Sequence, residues 1–254
     1  NEVTIERNPS LTTLDGLGFT RVDGFFNITE NDGLFRLDGL DQLTEVGDLD
    51  ITENDSLRDL RGLEGLETVN DTLNISGNQA LIRLTGLEQL RTVGSNLRLN
   101  DNTQLTIIDG LPALETLERF EISNSPITRI RSIGVRQIRR NLTFRNNENL
   151  EEISGFSNLT QVESLQVENN SLLESLRGFD ALTEVNQIEI RNNERLTEIE
   201  LSALTEVNSL VINYNDALTT PGQMQQLQTI NESLELVENA QLTDLLGFDT
   251  LQLV

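Results

Sequence analysis

The sequence predicts a repeat solenoid: a right-handed coil of about eleven turns of 22–24 residues, one parallel strand per turn, with a thin returning side. Three observations predict it. An apolar pair one residue apart restarts at Val3, Phe26, Leu49, Leu73, Leu97, Phe120, Leu142, Leu165, Ile188, Leu210 and Leu234, always 22 to 24 residues on. An asparagine follows most of these pairs at a fixed offset. Leucines at steps of three then complete each unit, as in Leu57, Leu60, Leu63, Leu66 and Val69. The repeat runs end to end, so residues 1–254 form one continuous domain held by contacts between neighbouring turns.

Each element follows from its residues. In Leu49-Asp50-Ile51-Thr52 alternation sends Leu49 and Ile51 inward and Asp50 and Thr52 outward, which is a short strand. Stacked in register, such strands make a parallel sheet with a spacing of about 4.8 Å, and the rod is roughly 50 Å long. The leucines at steps of three fit tight turns and short 3₁₀ or single-turn helical pieces. A long amphipathic helix needs mixed threes and fours, and these are absent. The sixth position carries Asn8, Asn31, Asn54, Asn78, Asn102, Asn147, Asn170, Asn193, Asn215 and Asn239, with Ser125 in the one exceptional unit. An inward amide at a tight corner satisfies backbone groups turn after turn, so this column reads as a structural ladder. Gly16, Gly39, Gly62, Gly86, Gly110, Gly155 and Gly178 mark a second repeated corner, one of special backbone angles or close approach.

The core V-x-x-L-x-I-x-x-N (Val46, Leu49, Ile51, Asn54) resembles a leucine-rich repeat. Its longer form, L-x-I-x-x-N-x-x-L-x-x-L-x-G-L-x-x-L-x-x-V, is similar to the receptor L-domain variety found in growth-factor receptor ectodomains and microbial surface proteins. The chain departs from the receptors in having no cysteine, which points to the microbial group. The resemblance implies an extracellular or cell-surface binding or adhesion role and names no ligand.

Composition narrows the function classes. The net charge is −24, and every basic residue is Arg. That balance disfavours nucleic acid and anionic membranes as partners. No apolar run is long enough to span a membrane, and no secretion signal precedes the first repeat. Neither end shows a polar cap, so the expectation is a piece of a longer protein. With no His and no Cys, the commonest general base, nucleophile and metal ligands are missing. Carboxylates recur by repeat position, as surface residues do, and none is singled out as a catalytic pair. The reading is a non-enzymatic module without a cofactor. One metal alternative stands beside it: Glu30 and Glu53 stack at the fifth position near Asp50, a place where Ca²⁺ would relieve repulsion.

Two units break the pattern. The unit from Phe120 to Asn141 is shortened, carries Pro126 and loses the ladder Asn. Seven of the eighteen arginines fall in residues 119–145: Arg119, Arg129, Arg131, Arg136, Arg139, Arg140 and Arg145. Those from Arg129 to Arg140 are expected on the turns and returning side, projecting between inward Ile127, Ile130, Ile133 and Ile138. The unit from Leu210 carries Pro221-Gly222 at a reshaped corner, and no basic residue follows Arg195. On the outward face Arg145, Glu168 and Arg191 form a stack of alternating sign, and Tyr214 is the one aromatic anchor nearby. Candidate partner-binding residues are therefore Arg129, Arg131, Arg136, Arg139, Arg140, Arg145, Arg191 and Tyr214. The expected partner is a polar or charged protein, an acidic polysaccharide, or a second copy of the chain. The rival readings are a spacer without a ligand and an acidic-glycan-binding domain. A spacer predicts monotony, whereas a binding module predicts a patch that departs from the repeat.

Overall fold

The computed structural model describes residues 1–253; Val254 lies outside the described residues. The chain is a parallel β-solenoid. Eleven rungs carry the strands Val3–Glu6, Arg21–Thr29, Glu45–Thr52, Leu73–Ser76, Asn96–Arg98, Arg119–Ser123, Gln137–Arg145, Gln161–Glu168, Glu184–Arg191, Glu206–Asn213 and Thr229–Val237, and they enclose ten coil intervals. Every pairing is parallel, and the register joins Val3 to Phe26, Phe26 to Leu49 and so on to Leu210 and Leu234, the repeat starts read from the sequence.

The strands extend further upstream than the apolar pair suggests. In seven of the eleven rungs the strand starts at or before the valine or isoleucine of V-x-x-L, as at Glu45, Gln161 and Glu206. Rungs four to six have separate two-residue pieces there instead, Thr68–Val69, Thr92–Val93 and Thr116–Leu117, which complete a fourteen-stranded sheet. The spacer between the two halves varies in length. The register therefore shifts between Val22 and Phe25, Ile138 and Asn141, and Val207 and Ser209. A residue left over in one rung is absorbed as a local bulge rather than a slip of the whole strand, because a slip would turn every inward leucine to solvent.

The returning side is thin, and no helical segment occurs in it among the described residues. The steps of three are instead isolated turns. Leu57 N–H donates to Asn54 O (3.0 Å), Leu63 N–H to Leu60 O (3.1 Å) and Leu66 N–H to Leu63 O (2.9 Å). Each turn delivers one leucine to the interior, and full burial of such a side chain stabilises by about 1.5–3 kcal/mol. A second, five-stranded sheet runs along this side through Ile107–Ile108, Arg129–Ile130, Glu152–Ile153, Ser175–Leu176 and Glu198–Ile199. It was not expected from the sequence.

The core is one continuous aliphatic column with an aromatic insert in its middle. Phe156 stacks on Phe179 at 5.4 Å and meets Phe144 edge-on at 5.7 Å and Phe120 at 6.2 Å. The glycine corner is required by both angle and space. Gly62 has φ +106°, and a Cβ there would run into the Leu37 carbonyl of the preceding turn. In the shortened unit Ser132 holds the equivalent corner at φ +54°, while Gly155 stands there without a positive φ.

Candidate functional site

The sixth-position ladder fixes the corner next to the sheet. Asn31, Asn54, Asn78, Asn102, Asn147, Asn170, Asn193 and Asn215 are fully buried. Each Oδ1 accepts the backbone N–H of the ladder residue one turn before: Asn31 N–H to Asn54 (3.1 Å), Asn54 N–H to Asn78 (3.0 Å), Asn170 N–H to Asn193 (3.1 Å). Each Nδ2 donates backward to a strand carbonyl, as Asn54 does to Ile28 O at 2.8 Å. Ser125 fills the gap with longer bonds, donating to Leu99 O at 3.3 Å and accepting from Asn102 N–H at 3.3 Å. At the ends Asn8 is exposed and Asn239 half-buried.

The residue just before the ladder is forced into the left-handed region in every rung. Arg7, Glu30, Glu53, Gly77, Asp101, Asn124, Asn146, Asn169, Asn192, Tyr214 and Glu238 all have φ between +52° and +71°. Only Gly and, to a lesser degree, Asn and Asp adopt this conformation easily. Four consecutive rungs meet the demand with Asn. Their exposed side chains form a second ladder outside the first: Nδ2 of Asn146 donates to Oδ1 of Asn124 (3.2 Å), Asn169 to Asn146 (3.0 Å) and Asn192 to Asn169 (3.0 Å). The Asn-Asn pairs at 146–147, 169–170 and 192–193 are its signal in the sequence, one that the spacing of the apolar residues does not carry.

On the sheet face the fourth-position stack is present as read. Arg145 pairs in register with Glu168, and Glu168 with Arg191. The ion pair forms once: Arg145 Nη2 lies 2.9 Å from Glu168 Oε2. Arg191 turns to Glu189 in its own strand at 3.9 Å, and its buried Nε has no partner. Tyr214 follows Asn213 at the next rung, in the fifth column directly after Asn192, and is 49% exposed.

The structure does not bring the arginines of residues 119–145 together. The coil distributes them around the rod. Arg129 is on the second sheet, whereas Arg139 and Arg140 lie within the strand Gln137–Arg145 on the main sheet, not on the returning side where they were expected. Arg131 follows Arg129 at the Ser132 corner, and Arg136 precedes that strand. Arg129 meets Glu151 at 3.7 Å and Arg140 meets Glu118 at 3.5 Å, each on an adjacent turn. Arg136 continues an alternating column in which Arg91 lies 3.9 Å from Glu115 and Arg136 N–H donates to Glu115 O. Ile127, Ile130, Ile133 and Ile138 are buried as expected.

Comparison with known proteins adds nothing to these observations. No family model, curated protein or solved structure matches the chain.

Along the corner two open grooves flank the fifth column. The larger, about 1030 Å³, lies in the N-terminal half between Arg7, Glu30, Asp32, Glu53, Asp55 and Asp101. Arg7 grips Glu30 with two bonds of 3.0 Å, and that pairing raises the pKa of its guanidinium further. Asp50 sits apart in the second column of the sheet face, between Asn27 and Asn74. Among the described residues no group of three or more carboxylates converges around Glu30, Glu53 and Asp50. Partial burial raises the Asp50 pKa above the ordinary carboxylate value; Asp48 adds to the shift, while Asn74 and Arg98 oppose it. The second groove, about 490 Å³, lies against the outer ladder and is lined by Thr103, Asn124, Pro126, Asn146, Glu148 and Asn169. The corner thus changes along its length from anionic to neutral amide, then to Tyr214 and, at the last rung, Glu238.

Proposed function

We propose that the chain is a non-enzymatic binding or adhesion module of the cell surface, which takes a polar partner along its outward sheet face and the adjoining corner. The observation that carries this reading is the loss of monotony there. Across rungs six to ten the fifth column changes from mixed charge to an amide ladder ending in an exposed tyrosine, beside the Arg145–Glu168–Arg191 stack. A spacer has no need of such a departure. Grooves open along the corner suit an extended partner rather than an enclosed small molecule. The resemblance of V-x-x-L-x-I-x-x-N to leucine-rich repeats of the receptor L-domain kind supports the same role and an extracellular setting. The arginines of the shortened unit, spread around the rod and partly paired with acids, serve mainly to balance charge.

The test is saturation binding of the immobilised chain to a panel of purified extracellular proteins and of neutral and acidic polysaccharides. Saturable binding to at least one member is expected. It should weaken on changing Arg145, Arg191 or Tyr214, and persist when Arg58, exposed on the returning side, is changed to Glu. Absence of saturable binding across the panel returns the chain to the spacer reading.

A further inference from the structure

Resting on that reading, we infer that the outer ladder and Tyr214 form a linear subsite for a neutral, hydroxyl-rich polysaccharide lying along the solenoid axis. The first argument is hydrogen-bond capacity. A carboxamide offers two N–H donors and two lone-pair positions. Within the ladder, Asn146 and Asn169 each use one donor and one acceptor on their neighbours, which leaves one of each free and solvent-facing. A row of fixed donor–acceptor pairs matches hydroxyl groups, which also donate and accept. Carboxylates and phosphates only accept, so they would leave the free amide oxygens without donors.

Spacing gives the second argument. Successive rungs are about 4.8 Å apart, close to the length of one pyranose in an extended chain. An extended peptide advances about 3.3 Å per residue, so it meets the amides in step only at every second rung, whereas a chain of pyranoses can offer hydroxyls to each one.

Tyr214 supplies the third and independent argument. It is the only tyrosine in the chain, it is 49% exposed, and it has φ +59° in the column immediately after Asn192. The corner imposes this angle on every rung, so what sets Tyr214 apart is that it alone places an exposed aromatic ring in the column. An exposed ring at the end of an amide row provides the apolar platform on which the C–H face of a sugar packs, while the amides take its hydroxyls. Charge agrees. Around the ladder Arg145 and Arg191 are offset by Glu168 and by Glu148 of the groove, a local sum of zero, whereas the whole chain carries −24 and repels polyanions at long range.

The experiment is affinity electrophoresis and titration calorimetry with soluble mixed-linkage β-glucan, α-mannan and dextran, the uronan alginate serving as the polyanion. Two variants remove the site without breaking the corner: Asn146→Gly with Asn169→Gly and Asn192→Gly, and separately Tyr214→Gly. Glycine is native to this column at Gly77, so both are expected to fold, and circular dichroism checks that they do. The expected result is binding of the parent to at least one neutral polymer, with Kd raised at least tenfold in each folded variant. Equal binding by the parent and both folded variants overturns the inference. Binding only to alginate or to a protein overturns it too, while the broader surface-binding reading stands; no binding to anything overturns both.

Discussion

Asn54 does three things at once: it accepts the Asn31 N–H and donates to Ile28 O and to Thr52 O, all inside the rod. Asn54→Ala leaves those groups unpaired and should cost about 1–3 kcal/mol. Asn8 occupies the same column at the exposed first rung and donates locally to Glu6 O, so Asn8→Ala should fall within about 0.5 kcal/mol of the parent. Urea melts that gave equal losses would contradict the ladder's role. Asp50 carries the opposite kind of contribution. Its raised pKa means that the folded state binds this proton more tightly than the unfolded chain does. The cost is therefore present in full at neutral pH, above the folded pKa, and is relieved as pH falls through it. Asp50→Asn should raise the melting temperature at pH 7, with the advantage lost as the pH falls through the folded pKa of Asp50. A pH-independent difference would show that charge burial is not the cause. Asp50 was legible as outward from alternation, and Asn54 as inward from its recurrence at a tight corner. The half-buried state of Asp50 was not, because it depends on neighbours 23 and 24 residues away across the sheet.

At the scale of the element, the glycine corner separates backbone angle from space. Gly62 and Gly16 have nearly the same φ, +106° and +103°, but a Cβ on Gly62 meets the Leu37 carbonyl whereas Gly16 has nothing within 4 Å. Gly16→Ala should cost about 1–3 kcal/mol from angle alone. Gly62→Ala should cost roughly 1–3 kcal/mol more, because the preceding turn has to move. Thermal melts of the two variants check the order; a smaller loss at Gly62 would rule out stacking contact as the reason for the column. What the repeat made legible here was whatever recurs at fixed spacing: the strand starts, the ladder and the turn leucines. The upstream strand halves were hidden by a spacer that varies in length, so that Val22 and Val46 stand at different distances from Phe26 and Leu49. The second sheet was hidden because its strands are two residues long, too short for alternation to show.

For the whole molecule, proximity runs across turns rather than along the chain. Seven arginines within 27 residues read as a patch in the sequence, yet one coil carries them onto both sheets and the corner between them. Residues 22 to 24 apart are the true neighbours, as Asn146, Asn169 and Asn192 demonstrate. The outer ladder was present in the text as repeated Asn-Asn pairs. Its meaning required knowing that the residue before the inner Asn is left-handed in every turn, and spacing does not reveal that. Recognition is proposed to take place at this corner and not on the returning side. Hydroxyl-radical footprinting of the chain saturated with its bound polymer or protein tests it most directly. Tyr214 at the corner and Phe35 on the returning side are both exposed and reactive reporters. Tyr214 should be protected while Phe35 oxidises as in the free chain; protection of Phe35 with Tyr214 unchanged would place recognition on the returning side instead.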